Sequence, residues 1–403
     1  MSVPTVHLVA LLVVLFLVMP AAAYEIGHTT ITLIDPARGN RSIPTEVYYP
    51  ADVSGEGVPV ASDPEVFPVV TFGHGYLMSW SLYSYVHEAL VPEGYIVTYP
   101  DTGGELFPDH EDFGLDMAFI VQSLRGLGDD TGSPFYGRVS AAAAVAGHSM
   151  GGGASLLAAA SDPTISAIVN LAAAETNPSA INAAAGITMP ALLFSGGSDC
   201  VASPEDHQIP MYDALASDCR TRVTISGASH CQFAESSWLC ELGEGGCPDP
   251  TVSRAQQQQA VVALLLPWLD YTLKDDVLGW FAFDELLETM SGIAYEQTCS
   301  PTDVPVAPST APLLSLAPSF PNPTSGHAFA RFHLARPADT SVRIYSISGR
   351  LVAEIDDGRR KAGWHTVTWD GTTLAGVTTA SSVYYWRVEA GDETATSAIV
   401  RVR

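Results

Sequence analysis

Short apolar runs alternate with longer helical stretches between Thr30 and Asp270 of this 403-residue chain. Runs of branched and aromatic residues are typical of buried strands, and the stretches between them carry apolar residues at helical spacing. Regular alternation of this kind predicts an α/β fold, a mostly parallel sheet with helices on both faces, in which ligands bind outside the carboxyl ends of the strands. The predicted strands are 68–72, 95–99, 142–147, 165–171, 191–195 and 222–226, and the predicted helices are 81–91, 115–124, 151–160, 208–216 and 255–273.

The pattern changes near residue 300, where a proline-rich segment separates two regions. Residues 301–312 contain four prolines and predict a stiff, extended linker. Beyond them, short runs alternate apolar with polar residues and are separated by Gly, Asp and Pro turns. This period of two predicts an antiparallel β-sandwich over residues 313–403. The runs are 328–334, 341–347, 365–369 and 383–389.

The first residues have the pattern of an export signal. An apolar run over 8–19 is followed by Pro20 and by three alanines that end at Ala23, after which we expect cleavage. The n-region departs from the pattern because it lacks Lys and Arg. A membrane anchor is the alternative, but the run is shorter than the roughly 18 to 20 residues that a span needs. The predicted domains are therefore a signal peptide (1–23), a first folded unit (24–300), the linker and a second unit (313–403).

Negative charge is concentrated before the predicted second unit. The chain has 18 Lys and Arg against 44 Asp and Glu, and 8 of the basic and 36 of the acidic residues lie in 1–312. A surface this negative repels phosphate backbones and anionic lipid headgroups, so we expect no nucleic acid partner and no binding to a membrane surface. A neutral or cationic partner is easier to accept. The simpler interpretation is an acidic surface that keeps an exported protein soluble.

The strongest local motif is Gly147-His-Ser-Met-Gly151, which follows the predicted strand 142–147 and opens a predicted helix. G-x-S-x-G between a strand and a helix places the serine on a tight turn with its hydroxyl exposed above the sheet. The alternative is a glycine-rich turn that only packs the helix on the strand. We predict Ser149 to be a catalytic nucleophile.

A serine nucleophile needs a base and a carboxylate that orients the base, and in this type of fold the chain order is Ser, acid, His. His230 follows the last predicted strand of the sheet and is the predicted base. His207 lies at a helix start, where a surface or capping role is the simpler interpretation.

Asp199 is the predicted acid, because it follows the strand 191–195 at the edge where Ser149 and His230 are expected. Glu175 and Asp206 remain alternatives. The backbone N–H groups of Met150 and of Tyr76, in Phe72-Gly-His-Gly-Tyr76, are the predicted donors of an oxyanion hole. This chemistry requires no metal and no cofactor.

Four segments together resemble the α/β-hydrolase family of bacterial cutinases and polyester hydrolases, with dienelactone-hydrolase-like and chlorophyllase-like esterases close behind. They are Gly147-His-Ser-Met-Gly-Gly-Gly-Ala-Ser, Gly73-His-Gly-Tyr, Gly197-Ser-Asp-Cys-Val-Ala-Ser-Pro and Ala228-Ser-His. The resemblance covers about 25–275 and implies a secreted serine hydrolase that cleaves a neutral ester or polyester through an acyl-enzyme. It implies Ser149, Asp199 and His230 as a triad. Dienelactone-hydrolase-like or lipase-like cleavage of small esters, and a non-catalytic adhesin on the same fold, are the alternatives.

The chain departs from that family at two places. Polyester hydrolases usually carry a Trp that stacks on the substrate shortly after the sixth strand, where this chain has Ala174. The loop after His230 is longer than the family's, and we expect it to form a lid. Its Phe233 and Trp238, with the ring of Tyr76, are the predicted substrate-binding residues.

Six cysteines lie between residues 200 and 299, and an even number in an exported chain predicts disulfides. Six cysteines allow 15 pairings. A zinc site is the alternative, but no C-x-x-C pair occurs. The resemblance implies Cys200 with Cys231, as in some polyester hydrolases. Cys240 with Cys247 would close a short loop, and Cys219 would then pair with Cys299; the other pairings of these four cysteines remain open.

Acidic residues cluster over 109–116, where a solvated loop is favoured over a calcium site because EF-hand spacing is absent.

The last 90 residues resemble the immunoglobulin-like sorting domains of type IX secretion. The segments that carry this resemblance are Phe320-Pro-Asn-Pro-Thr-Ser-Gly, Val342-Arg-Ile-Tyr-Ser-Ile-Ser-Gly-Arg-Leu-Val, Ala362-Gly-Trp-His-Thr-Val-Thr-Trp-Asp-Gly and Ser382-Val-Tyr-Tyr-Trp-Arg. The resemblance implies export through the outer membrane, with the type IX machinery as partner. A carbohydrate- or polymer-binding module of the same sandwich class is the alternative.

Overall fold

The computed structural model describes residues 24–62, 66–299, 313–316, 319, 322–334, 338–360, 363–374, 376–391 and 393–402. The predicted signal peptide and the predicted linker lie outside these residues. Contacts divide the chain into two compact units, Met1–Val304 and Pro305–Arg403. No helix in the described part of the chain is long and apolar enough to cross a membrane.

A ten-stranded sheet organises the first unit. Its strands are β1 (Glu25–Asp35), β2 (Arg41–Ala51), β3 (Gly55–Glu56), β4 (Phe67–Gly73), β5 (Ile96–Pro100), β6 (Val139–His148), β7 (Ala167–Leu171), β8 (Ala191–Gly196), β9 (Arg220–Ile225) and β10 (Ile293–Gln297). Their order in the sheet is β10-β9-β8-β7-β6-β4-β5-β2-β1-β3. The six strands from β9 to β5 in this order run parallel, whereas β1, β2 and β10 pair antiparallel. The prediction of a mostly parallel sheet is confirmed.

Helices cover both faces of this sheet, as predicted. They are α1 (Ser84–Leu90), α2 (His110–Asp129), α3 (Met150–Ser161), α4 (Ala180–Ala184), α5 (Gln208–Ala214), α6 (Trp238–Gly243), α7 (Arg254–Lys274) and α8 (Val277–Thr289). Alternate residues of β6 enter opposite cores: Val145 packs with Phe113 of α2, and Ala146 belongs to the cluster that contains Trp268 of α7. A strand buried on both faces therefore has an unbroken apolar run.

The strands at and near the edges of the sheet were not predicted from the sequence. Strands β1 and β2 form a long antiparallel pair, Glu25 opposite Ala51, and β10 pairs with β9 on the other side. Edge strands keep many polar residues because part of their surface faces water, so they lack the apolar run that identifies a central strand. The Thr- and Ile-rich alternation of β1 was the available signal.

The acidic stretch 109–116 opens helix α2 and is not the solvated loop expected from sequence. Asp109 caps the helix by accepting from the Asp112 N–H. Asp116 is fully buried, and its carboxylate binds Arg38 at 2.6 Å and Arg41 at 2.8 Å. The acidic groups of this stretch thus stabilise the helix start and hold the turn after β1 against α2.

The second unit consists of two antiparallel sheets around one apolar cluster. One sheet has the order β11 (Leu314–Leu316), β12 (Ala328–Leu334), β15 (Gly363–Trp369), and the other has the order β14 (Leu351–Arg360), β13 (Ala338–Ser346), β16 (Ser382–Ala390), β17 (Glu393–Arg401). Phe332, Trp369 and Trp386 are buried between them. The predicted antiparallel sandwich is confirmed.

A stack of rings joins α1 to the sheet. The His87 ring lies face to face with Tyr48 of β2, with the ring centres 3.7 Å apart, and its Nδ1 is 3.2 Å from the hydroxyl of Tyr99 in β5. Burial, and to a smaller extent the positive charge of nearby His28, lowers the pKa of His87 to about 4.

Replacing His87 with Phe should make the protein more resistant to mild acid. Below pH 6.5 the unfolded chain takes up a proton at His87 that the folded chain accepts only near pH 4. The free energy of unfolding therefore falls between pH 6.5 and pH 4, by up to about 3 kcal/mol from this group. We expect urea unfolding at pH 7 and pH 4.5 to show a larger loss for the wild type than for His87→Phe. Equal losses would contradict this account.

Candidate functional site

Ser149 occupies a strained turn between β6 and α3. Its backbone angles are φ 54° and ψ −119°, a conformation that non-glycine residues rarely adopt. A Cβ on Gly147 would come within 2.3 Å of the Gly151 carbonyl oxygen, and a Cβ on Gly151 within 2.1 Å of the Gly73 carbonyl oxygen. The motif therefore needs glycine on both sides of the serine so that β6, α3 and the end of β4 can approach one another.

Three predicted residues meet above this turn. The Ser149 hydroxyl lies 2.9 Å from His230 Nε2, and His230 Nδ1 lies 2.8 Å from a carboxylate oxygen of Asp199. The second carboxylate oxygen accepts from the N–H groups of Val201 and Ala202 at 2.8 and 2.9 Å. All three side chains are buried and follow the carboxyl ends of β6, β8 and β9. The structure thus brings together a hydroxyl, an imidazole and a fixed carboxylate.

The alternative acid and base residues are engaged elsewhere. A Glu175 carboxylate oxygen accepts from the Ile181 N–H, and Asp206 accepts from the Ser203 hydroxyl. His207 Nδ1 accepts from the Glu175 N–H. These bonds hold the loops after β7 and β8, and none of them involves Ser149 or the Asp199 carboxylate.

Two backbone N–H groups lie in segments that border Ser149. Met150 is the first residue of α3, so its N–H has no acceptor within the helix. Tyr76 sits in a turn closed by a hydrogen bond from the Met78 N–H to the Gly75 carbonyl, and a positive φ at Leu77 completes the turn. The N–H at the second position of such a turn is not used by the turn itself.

The ring of Tyr76 leans on the loop between β5 and α2. Its hydroxyl donates to the Leu106 carbonyl at 2.7 Å, and about half of the residue is exposed. The next side chain, Phe107, is almost fully exposed. Tyr76 is therefore accessible to a ligand at this side of the site.

His148, inside the G-x-S-x-G motif, links the two halves of the site and was not singled out from sequence. Its Nε2–H donates to the His230 carbonyl at 3.1 Å, so its Nδ1 accepts from the Tyr83 hydroxyl at 2.9 Å. The Tyr83 oxygen accepts in turn from the Gly75 N–H at 2.9 Å. Complete burial, reinforced by the neighbouring His230, holds the pKa of His148 well below its usual value. The ring is neutral and adds no charge beside His230.

Gln257 of α7 is a second residue that sequence reasoning missed. It is fully buried, and its side-chain amide binds the backbone of Ser229 twice, accepting from the N–H at 3.1 Å and donating to the carbonyl at 2.9 Å. These bonds fix the peptide groups on either side of Ser229, the residue before His230. Gln257 is one of four consecutive glutamines, and its helical spacing to Val261 and Leu264 on the buried face was the available signal.

Comparison with known proteins identifies the family of the first unit. The model of the PET hydrolase-like family matches residues 20–242, more than half of the chain. The chain belongs to this family. Cutinase est2 of Thermobifida alba is 28% identical over 217 residues, which cover 52% of this chain and 69% of that protein. A cutinase of Thermobifida fusca is 26% identical over 230 residues, 55% of this chain and 74% of that protein.

Two further matches are informative, one to a relative named for its substrate and one that covers the second unit. A bis(hydroxyethyl) terephthalate hydrolase of Streptomyces coelicolor is 27% identical over 215 residues, 51% of this chain and 66% of that protein. The FlgD Ig-like domain model matches residues 322–394. The second unit is thus similar to an immunoglobulin-like domain.

The disulfides of this PET hydrolase-like protein differ from two of the three predicted pairs. The structure joins Cys200 to Cys247 and Cys231 to Cys240, so the predicted pairs Cys200 with Cys231 and Cys240 with Cys247 are wrong. The predicted pair of Cys219 with Cys299 is confirmed. The error arises because residues 232–247 fold back over the loops that carry Asp199 and His230, which brings the Cys240 Cα within 5.7 Å of the Cys231 Cα.

The two aromatic residues of this segment have opposite environments. Phe233 is fully buried, with its ring centre 6.1 Å from that of His148. Its ring packs beneath the His230 loop, and its role in substrate binding stays a prediction. Trp238 begins α6 and is 72% exposed. Ala174, where relatives are expected to carry a Trp, donates its N–H to the Ser149 carbonyl at 2.8 Å and therefore borders the site.

Replacing Gln257 with Leu should lower the reactivity of Ser149 towards a fluorophosphonate, a reagent that reports an activated serine. Loss of both bonds to Ser229 frees the peptide that positions His230, and we expect the labelling rate to fall about tenfold. Gln259→Leu, an exposed position on the same helix, is the matched control and should label at the wild-type rate. A wild-type labelling rate in Gln257→Leu, with the wild-type far-ultraviolet circular dichroism spectrum retained, would contradict the positioning role.

Proposed function

We propose that this chain is a secreted serine hydrolase that cleaves neutral carboxylic esters through an acyl-enzyme. The observation that carries the proposal is the continuous hydrogen-bonded line from the Asp199 carboxylate through His230 to the Ser149 hydroxyl. The family match and the names of the cutinase relatives support an ester hydrolase.

In the first half-reaction, the Ser149 oxygen attacks the ester carbonyl carbon while its proton passes to His230 Nε2. Asp199 keeps Nδ1 protonated and stabilises the imidazolium. The N–H groups of Tyr76 and Met150 donate to the oxygen that becomes negative. When the tetrahedral intermediate collapses, His230 returns the proton to the departing alkoxide, and an alcohol leaves.

In the second half-reaction, water replaces the alcohol. His230 removes a proton from water, the hydroxide attacks the acyl carbon, and collapse returns the proton to the Ser149 oxygen as the carboxylic acid departs. The neutral ring of His148 beneath His230 favours this cycle, because no fixed positive charge opposes the formation of the imidazolium.

The proposed substrate class is a neutral ester or polyester. The acidic first unit disfavours anionic substrates, and it assists the departure of the carboxylate product. A relative is named for hydrolysis of a terephthalate ester. Ala174 offers no ring for stacking at the site, so aliphatic esters are favoured here over aromatic ones.

Replacing Ser149 with Ala should abolish turnover of p-nitrophenyl butyrate, with kcat reduced by about 10⁴-fold or more. Ser54→Ala, an exposed serine whose hydroxyl binds Glu25, is the control and should retain wild-type turnover. Turnover that survives Ser149→Ala would overturn the mechanism. An inactive wild type that still adsorbs to surfaces would favour the adhesin.

The terminal regions fit export. We propose that residues 1–23 direct export from the cytoplasm and that the second unit acts as a type IX sorting domain. The cutinase relatives and the FlgD Ig-like match are consistent with an exported enzyme that carries an accessory β-sandwich.

Deleting residues 313–403 should block release from the cell. In a bacterium that has type IX secretion, we expect the full chain in the medium or on the cell surface and the shortened chain in the periplasm. Esterase activity in each fraction is the measurement, and a strain without the type IX outer-membrane pore is the control. Equal release of both chains would show that the second unit is not the sorting signal.

A further inference from the structure

Helix α6 presents apolar side chains to water. Trp238 and Leu242, one turn apart, are 72% and 71% exposed, and Leu239 beside them is 39% exposed. Residues four apart lie on one face of a helix, so Trp238 and Leu242 form a continuous apolar strip. We call these three side chains the α6 surface.

Polar contacts hold this helix to the rest of the protein. Glu244, the residue after the helix, accepts from the Cys231 N–H at 2.8 Å, and Glu241, which is itself exposed, accepts from Arg254 at 3.2 Å. An ordinary surface helix packs its apolar face on the core and leaves charges in water. Here polar contacts anchor the helix and leave the apolar strip exposed, an arrangement typical of an interaction surface.

Two disulfides keep the α6 surface beside the proposed active site. Cys240 within the helix is bonded to Cys231, the residue after His230, and Cys247 just beyond the helix is bonded to Cys200, the residue after Asp199. The segment is thus tied to both loops that supply the acid and the base. A fixed strip loses little conformational entropy when it binds.

The charge and size of the strip limit what it can bind. Residues 231–250 contain four acidic residues and no Lys or Arg, so anionic headgroups and phosphates are repelled. A six-residue helix is about 9 Å long. A stable protein partner requires about 800 Å² on each side. A flat, neutral and apolar solid satisfies both the charge limit and the size limit. It carries no anionic group, and a small surface that dissociates from it can bind again at any other point.

We propose that the α6 surface adsorbs the protein to a neutral, water-insoluble polyester and so delivers chain segments to Ser149. This proposal rests on the proposed ester hydrolysis, which gives adsorption its function, but adsorption itself needs no turnover.

Adsorption can therefore be measured separately from catalysis, with Ser149→Ala as the background and polycaprolactone film as the probe. We expect Leu242→Ser to lower the fraction bound to film by about fivefold at low coverage. In the Ser149 enzyme the same substitution should lower the rate of film hydrolysis in proportion, and should lower turnover of p-nitrophenyl butyrate much less. Leu278→Ser, at a half-exposed leucine of α8, is the matched control and should change neither quantity.

Each outcome that differs from these expectations contradicts only one of three proposals: the role of the α6 surface, the esterase activity or the polyester as ligand. Equal adsorption of Leu242→Ser and its background would overturn the role of the α6 surface and leave the esterase proposal standing. Adsorption that depends on Leu242, in a protein without turnover, would overturn the esterase and leave the surface standing. Binding to neutral phosphatidylcholine vesicles in place of film would overturn the polyester assignment in favour of a lipid surface.

Discussion

The close contact of three backbone segments at Gly73, Gly147 and Gly151 is the constraint on which the rest of the first unit depends. With no side chain at these positions, the start of α3 approaches the ends of β4 and β6 to a distance that a Cβ would forbid. This contact forces Ser149 into its positive φ and lifts its hydroxyl above the sheet. It also brings the turn that contains Tyr76 next to the serine. One packing constraint therefore sets both the position of the Ser149 hydroxyl and that of a neighbouring backbone N–H group.

The loop that carries His230 has few regular backbone bonds of its own and is held from several directions. Gln257 binds the backbone of Ser229 before it, and His148 binds the His230 carbonyl itself. The disulfide at Cys231 fixes the residue after it. The His230 imidazole is thus positioned by contacts from three elements: helix α7, strand β6 and the α6 segment. The proposed proton transfer between Ser149 and His230 requires the two groups to stay within one hydrogen-bond length, and these several contacts hold the ring there.

The segment from Cys231 to Cys247 is where the chain departs most from the expectations drawn from its family resemblance. Its disulfides run to the loops of the acid and the base, whereas the expected disulfide joined these loops directly. The change places an exposed apolar helix beside the site, while Ala174 offers no ring at the end of β7. Compared with the expectation from the family, apolar contact area near the site lies on helix α6 rather than at the end of β7. This arrangement suits an extended substrate better than the tight enclosure of one aromatic ring.

Local sequence patterns determined the alternating strands and helices and the serine turn, because periodicity and glycine spacing are encoded over a few neighbouring residues. The prediction of Asp199 and His230 also needed the order of these residues along the chain, over residues 149–230. The edge strands were missed because their polar face weakens that signal. Only the tertiary structure decided how Cys200, Cys231, Cys240 and Cys247 pair, why Phe233 is buried while Trp238 is exposed, and that Gln257 supports the His230 loop. The two disulfides that were not predicted join residues 47 and 9 positions apart, and they form because the segment after His230 folds back over the sheet edge. No local sequence pattern predicts that residues 232–247 fold back in this way.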